Sequence, residues 1–426
     1  MTSALLAALI LAAAPAPKDS ANSTADWPQW RGPNRDGKSL EKDIVFPKSG
    51  PKLLWQSDKI GMGYGQPAVV GNKLFIIGGA DNKPGSAESL ICMTHEKGEQ
   101  VWKQPIGTSA GTFNAGWGGG PRSTPTVTDG MVYALGATGD LVCCTADSGK
   151  IVWQKNVVKD FGGKIPTWGY SESPLVDDGH VVVTPGNGTG MVALDAKTGK
   201  TAWKCEEFKD SAGYSSIIPM MHGKTKLYIQ QTMSSALGVN AKTGKLIFKT
   251  GEIKRRTAVI PTPVFFEDYI FFTAGYGAGC ECYKLSGEGD DIKAEKVYTD
   301  YKTIANHHGG VIAIDDKVYG HSDSGGWTCF AFTKANSDPV WQKSSFGKGS
   351  ITYADGHFFC YQEKDGDLAV IKASTEGWNE VGHVKIPKTS TTRPNQGKVW
   401  AHPVIAQGKL FLRDFDLLFV YDLKSK

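Results

Sequence analysis

The 426-residue chain has little charge of either sign to spare. Lys and Arg total 47 against 43 Asp and Glu, a formal net charge of +4. Both signs are interspersed, so there is no basic patch of the kind that binds phosphate backbones, and no nucleic-acid partner is expected. Long apolar runs are also missing. The single one, Leu5 to Ala14, is too short to span a bilayer and has the length of a secretory signal core. Small residues at Ser23-Thr24-Ala25 then mark residues 1–25 as a signal peptide cut near Ala25. No Cys follows the run to take a lipid anchor. Export to the periplasm or beyond is the expectation, with a mature domain over 26–426. Helical periodicity is absent throughout, whereas Gly is abundant at 52 residues. That combination excludes bundles and favours hairpins.

What the chain does have is repetition. Ala196-Lys197-Thr198-Gly199-Lys200-Thr201-Ala202-Trp203 returns as Ala146 to Trp153 and Ala241 to Phe248, and is blurred at Glu96 to Trp102. A polar turn ending in Gly, flanked by β-branched and aromatic residues, reads as a hairpin. Successive aromatics lie roughly 50 residues apart, the period of a four-stranded propeller blade. A second phrase, a small residue or Pro leading into an apolar strand, begins at Gln66, Thr124, Ser173, Ser216, Thr262, Gly310, Ser350 and His402. Eight copies predict eight blades. The last lacks an outer strand, while Leu53 to Gln56 has that pattern with nothing before it to pair with. Pairing Leu53 to Gln56 with the Leu418 strand closes the ring without an open edge. The fold expected is all-β, a single eight-bladed propeller of four-stranded antiparallel blades, sealed by its N-terminal strand.

Eight Cys in an exported chain invite disulfides. The register argues otherwise, because six residues before each turn Gly stand Cys92, Cys143, Ala193 and Gly238, with Cys282 and Cys329 in the matching slot of weaker repeats. Cys serves there as a compact apolar filler. Segments leading into innermost strands converge on one mouth of a propeller channel. They carry Tyr64, Gln66, Arg122, Trp168, Tyr170, Glu172, Tyr214, Arg255, Arg256, Asn306, His307, His308, Trp400 and His402. Arg forks suit carboxylate or phosphate, and aromatic faces suit a flat ring or a sugar. A small anionic or polar ligand is one reading. The other is that these residues satisfy inner-strand backbone groups and hold water, with Glu172 pairing an Arg. Alternation along the chain allows one of His307 and His308 to face the channel, and His402 before Pro403 reads as a strand-entry hydrogen-bonding residue.

The A-x-x-T-G-K-x-x-W phrases resemble the pyrroloquinoline-quinone (PQQ) repeat of quinoprotein alcohol dehydrogenases and of the propeller lipoprotein that assembles outer-membrane proteins. Trp27-Pro28-Gln29-Trp30-Arg31-Gly32-Pro33-Asn34-Arg35-Asp36-Gly37, Asn306 to Gly310 and Trp400 to Pro403 are similar to secreted, planctomycete-type members. The resemblance implies that each repeat Trp packs one blade on the next. For a dehydrogenase it also implies PQQ with Ca²⁺ on oxygen ligands, an Asp base and an adjacent Cys pair. Glu172 and Asn306 could serve the cation, but no lead-in segment offers the Asp, and Cys143-Cys144 lie within one strand, where neighbouring side chains point apart. The function expected is therefore a non-catalytic, monomeric scaffold in the periplasm or cell envelope, with protein or glycan partners. A PQQ-dependent alcohol or sugar dehydrogenase is the alternative, and a lyase or hydrolase using Glu172, Tyr170 and a His is a third reading.

Overall fold

The computed structural model describes residues 25–47, 49–83, 86–107, 113–251, 253, 257–334 and 339–424. The signal segment over 1–24 and both Arg255 and Arg256 lie outside them. Strands dominate, arranged as eight separate four-stranded antiparallel sheets. Seven blades are contiguous, over 68–105, 126–156, 175–205, 218–250, 264–300, 311–343 and 349–385. The eighth combines three strands within 404–422 with Leu53–Ser57 as its outer strand. Trp55 sits opposite Val420 and Gln56 opposite Phe419, so the ring closes as the sequence predicts.

The repeat phrase has two physical jobs. Within a blade, Cys92, Cys143, Ala193, Gly238, Cys282 and Cys329 stand directly opposite Trp102, Trp153, Trp203, Phe248, Tyr298 and Trp341. The slot is small because the aromatic ring folds across it. All eight Cys are buried and free. Cys143 joins the core shared with blade 3, and Cys144 the core shared with blade 1, so the pair faces opposite ways. Between blades, each Trp indole donates to a turn carbonyl of the next unit. Trp55 reaches His95 at 3.1 Å, Trp102 reaches Ala146 at 3.1 Å, Trp153 reaches Ala196 at 2.9 Å and Trp203 reaches Ala241 at 3.1 Å. The turn Gly of that next unit lies beneath the ring. A Cβ on Gly149, at φ +73°, would stand 2.6 Å from Trp102. Gly is thus required there by conformation and by contact together.

Residues 27–39 form a strap that runs through the ring and touches every blade. Trp27 bridges Val69 in the first blade, and Pro28 accepts from Val127 in the second. Arg35 donates to Ser173 and Pro174, which lead into the third blade, and to Ile217, which leads into the fourth. Trp30 donates to Thr262 ahead of the fifth, and Arg31 to Val311 in the sixth. Ser39 then bonds Tyr353 in the seventh and Ile405 in the eighth. Trp27 is 0% exposed and both Arg31 and Arg35 are 1% exposed. Burial lowers each of these guanidinium pKa values to about 10, so both stay charged at neutral pH. Arg31 Nη2 donates to the Asp36 and Val311 carbonyls and Arg35 to backbone carbonyls and Gln29 Oε1, while Arg31 Nε and Nη1 have no partner among the described residues.

Candidate functional site

The strap leaves one end of the channel open as a bowl of about 360 Å³. Trp30 from the strap lies in it beside His402, with ring centroids 4.9 Å apart. The walls come from lead-in segments and linkers: Tyr64, Trp117, Arg122, Trp168, Tyr214, His307, His308 and Trp400, with Tyr276 at the rim. Tyr64 touches Trp400 at 5.0 Å, Trp117 touches Trp400 at 6.5 Å and Trp168 touches Tyr214 at 5.7 Å.

Arg122 is held in place by the chain itself. Its Nη2 donates to Gly118 O at 2.7 Å and its Nη1 to Trp168 O at 2.8 Å, and the guanidinium carbon stands 5.3 Å from the centre of the Tyr64 ring. Burial lowers its pKa, and none of the lining residues is a carboxylate. His402 Nε2 donates to His308 O at 2.8 Å, leaving its Nδ1 unprotonated and without a partner. Burial, reinforced by the Arg31 charge, brings the His402 pKa down to about 3. Lys348 donates to His307 Nδ1 at 2.8 Å and pairs with Asp323 at 2.7 Å. That donation places the His307 proton on Nε2. Burial and then the Lys348 charge lower the His307 pKa to about 4, against the pull of Asp323. The His308 pKa is pushed well below its ordinary value by burial and then by the neighbouring His307. Its Nδ1 lies 3.5 Å from Glu363 Oε2, outside hydrogen-bond geometry. Among the described residues the bowl therefore presents three neutral imidazoles and one fixed cation, Arg122, at physiological pH.

Of the residues singled out in the sequence, Tyr64, Arg122, Trp168, Tyr214, His307, His308, Trp400 and His402 meet here, whereas Gln66 is buried, accepting from Arg31 N and donating to Pro403 O. Tyr170, Glu172 and Asn306 stand elsewhere. Ser171 lines the bowl, while its neighbours on either side are buried away from it. Tyr170 packs in the core between blades 2 and 3 and donates to Pro185 O at 2.9 Å. Glu172 accepts from Thr184 N at 2.7 Å, Thr184 Oγ1 at 3.1 Å and Gln230 Nε2 at 3.0 Å, and burial raises its pKa to about 8. Asn306 spends its amide on Gly310 and His321. His307 and His308 both line the bowl, contrary to the alternation expected, because their segment is irregular and not a strand.

Tyr276 was missed because it sits in the turn between the second and third strands of its blade. Those turns open on the same face as the lead-ins, which antiparallel order alone would have shown. Trp30 was missed because nothing periodic connects the strap to the channel.

The donor set bears on a quinone–calcium centre. A hard cation needs a cluster of free oxygen ligands. Glu172 and Asn306 have theirs committed to the chain, Cys143 and Cys144 face apart, and among the described residues no group of three or more His, Cys, Asp or Glu could hold a metal. These residues do not fit that centre, nor do Glu172 and Tyr170 meet a His as an acid–base set.

Fold and docking pattern together define an eight-bladed propeller built on the PQQ-type repeat. A family model described as "Outer membrane protein assembly factor BamB" matches residues 86–343, and the chain belongs to that family. Among curated proteins, BamB of Moranella endobia (strain PCIT) is 26% identical over 180 residues, 42% of each chain. BamB of Yersinia pestis is 29% identical over 143 residues, 33% of this chain and 31% of that relative. The chain thus spans about two-fifths or less of the curated relatives it matches. Among solved structures, BamB from Moraxella catarrhalis superposes with TM-score 0.58 at 12% identity, covering 88% of this chain and 98% of that one. Quinohemoprotein alcohol dehydrogenase from Comamonas testosteroni superposes with TM-score 0.65 at 12% identity, covering 95% and 81%. Identities this low show a shared fold alone. No helix among the described residues is long and apolar enough to cross a membrane.

Proposed function

We propose that this protein is an exported, monomeric, non-catalytic scaffold of the periplasm or cell envelope, cleaved near Ala25, with 26–426 as its propeller domain. In this reading the rigid faces dock an envelope protein or glycan, and the bowl holds a small polar or anionic ligand. Membership of a family named for outer-membrane protein assembly supports the scaffold. The observation that carries the non-catalytic reading is the commitment of Glu172 to Thr184 and Gln230, which leaves no carboxylate lining the bowl among the described residues.

Affinity capture from envelope fractions with the mature chain is expected to recover a specific partner, and recovery of none would overturn the scaffold reading. In parallel, purified protein mixed with PQQ and Ca²⁺ is expected to show no bound-quinone absorbance and no dye reduction with alcohols or sugars. Turnover there would replace the scaffold with the dehydrogenase.

A further inference from the structure

From the lining of the bowl we infer a saccharide-binding subsite that takes an uncharged or acidic pyranose ring and rejects a cationic one. This rests on the reading of the bowl as a ligand site and goes further by naming the class.

Three features of the walls converge. The first is the shape of the aromatic surface. Each lining pair in contact is inclined: Trp30 to His402 by 55°, Tyr64 to Trp400 by 50°, Trp168 to Tyr214 by 52° and Trp117 to Trp400 by 35°. Rings so tilted make a faceted bowl, not a parallel-walled slot for a flat heterocycle. A pyranose chair presents C–H faces in several directions and can lie against such facets, each aromatic contributing apolar area while the ring rim stays polar.

The second is the mixture of unspent hydrogen-bonding groups. Trp168 Nε1 can only donate, His402 Nδ1 can only accept, neutral His308 can do one of each, and the Ser171 hydroxyl can do both. None of these atoms has a partner among the described residues, and each is covered by its neighbours, so a small rotation of the side chain is needed to bring it to a ligand. Buried polar groups left this way call for a water or a ligand. Hydroxyls answer both kinds at once, whereas a carboxylate or phosphate can only accept.

The third is charge. Among the described residues Arg122 is cationic, no carboxylate lines the bowl, and the three lining imidazoles are neutral. An ammonium group would enter against Arg122, while the carboxylates of Glu363 and Asp323 stand behind the wall, engaged by Trp400 and by Lys348 and Tyr276, so amino sugars are disfavoured. Acidic sugars gain from the same field.

The volume agrees in scale. A bowl of about 360 Å³ lies at the small end of ligand pockets and suits one or two rings. Two lining aromatics extend to solvent, Trp117 at 41% and Tyr276 at 56% exposure, and would meet a second ring of an oligosaccharide.

The test is titration of the full mature chain at pH 6.5 with glucose, cellobiose, glucuronate and glucosamine, followed by intrinsic tryptophan emission, since Trp30, Trp117, Trp168 and Trp400 all line the bowl. Saturable change is expected with cellobiose and glucuronate at concentrations on the order of 1 mM, and none with glucosamine. Trp117→Ala and Tyr276→Ala, both at exposed positions where folding is not at stake, should each weaken cellobiose binding by about tenfold or more with an unchanged melting temperature. Glucosamine binding as tightly as glucuronate would overturn the inference. So would saturation by a flat heterocycle such as PQQ with no response to sugars, although the bowl would then remain a ligand site. No response to any of these small molecules overturns both the saccharide inference and the ligand reading of the bowl, while partner capture decides the scaffold separately.

Discussion

The rim of the ring and the mouth of its channel follow opposite rules. At the rim, one solution recurs: a small residue opposite an aromatic, an indole bonded to the next blade's turn carbonyl, and a Gly beneath the ring. At the mouth, each lead-in differs, with Arg122 in one, Trp168 and Ser171 in another and His307-His308 in a third. Repetition at the rim fixes the architecture. Once it does, the lead-ins are free to carry unlike side chains to a common point, so the residues that hold the ring and those that line the bowl are separate sets.

Four comparisons, drawing on five substitutions, sharpen that separation, in falling order of effect. Trp153→Ala removes a docking ring that is 8% exposed and its 2.9 Å bond to Ala196, and should cost about 3–5 kcal/mol in denaturant unfolding. Cellobiose affinity of the folded fraction should be unchanged, and a matching loss of affinity would break the division between rim and mouth.

Next come two glycines that differ in surroundings alone. Gly149 and Gly130 have φ of +73° and +72°, yet a Cβ on Gly149 meets Trp102 at 2.6 Å and one on Gly130 meets nothing within 4 Å. Gly130→Ala should cost about 1 kcal/mol, the strain of the backbone region. Gly149→Ala should cost at least about 2 kcal/mol more, because the ring must shift as well. Equal losses would show that the Trp contact has no energetic weight.

Acid should act at the mouth. The His307 and His402 pKa values are lowered to about 4 and about 3 from an ordinary 6.5. In that window the unfolded chain binds protons that the folded chain refuses, so stability is present above pH 6.5 and lost as pH falls toward 4 and then 3. The slope approaches about 1.4 kcal/mol per pH unit for each fully engaged histidine. Thermal melts of His402→Asn should show a shallower loss over that interval than the parent, and an identical slope would remove His402 from the account. The smallest effect is that of Val101→Ala, at a position 46% exposed on an outer strand. It should change stability by less than about 0.5 kcal/mol and binding not at all.

The rim was legible in the sequence because its constraints are local and periodic. The spacing of Gly149 from Trp153, and of Cys143 from both, is a pattern within one hairpin. The closing pair of Leu53 and Tyr421 was legible by counting, since one strand lacked a place and one place lacked a strand. At the mouth the lead-ins themselves were legible, and with them Arg122, Trp168 and His402. Which way each side chain faces was less so. Ser171 occupies the wall while Tyr170 and Glu172 are buried away from it, a choice that hydrophobicity did not decide. The strap was recognisable as a phrase, but its path was not, because Arg31 and Arg35 bond to carbonyls that any sequence would supply.

The manner of closure also sets an order of events. Leu53–Ser57 must find Leu417–Asp422 across nearly the whole chain, the most distant pairing in the ring and therefore among the slowest to form. Until it does, the Leu417–Asp422 strand offers an open edge to any neighbour. The strap lies just ahead of Leu53 and cannot touch all eight blades until they encircle it. Trp30 accordingly takes its place only as the ring closes around the strap, so the bowl is complete only in the closed ring.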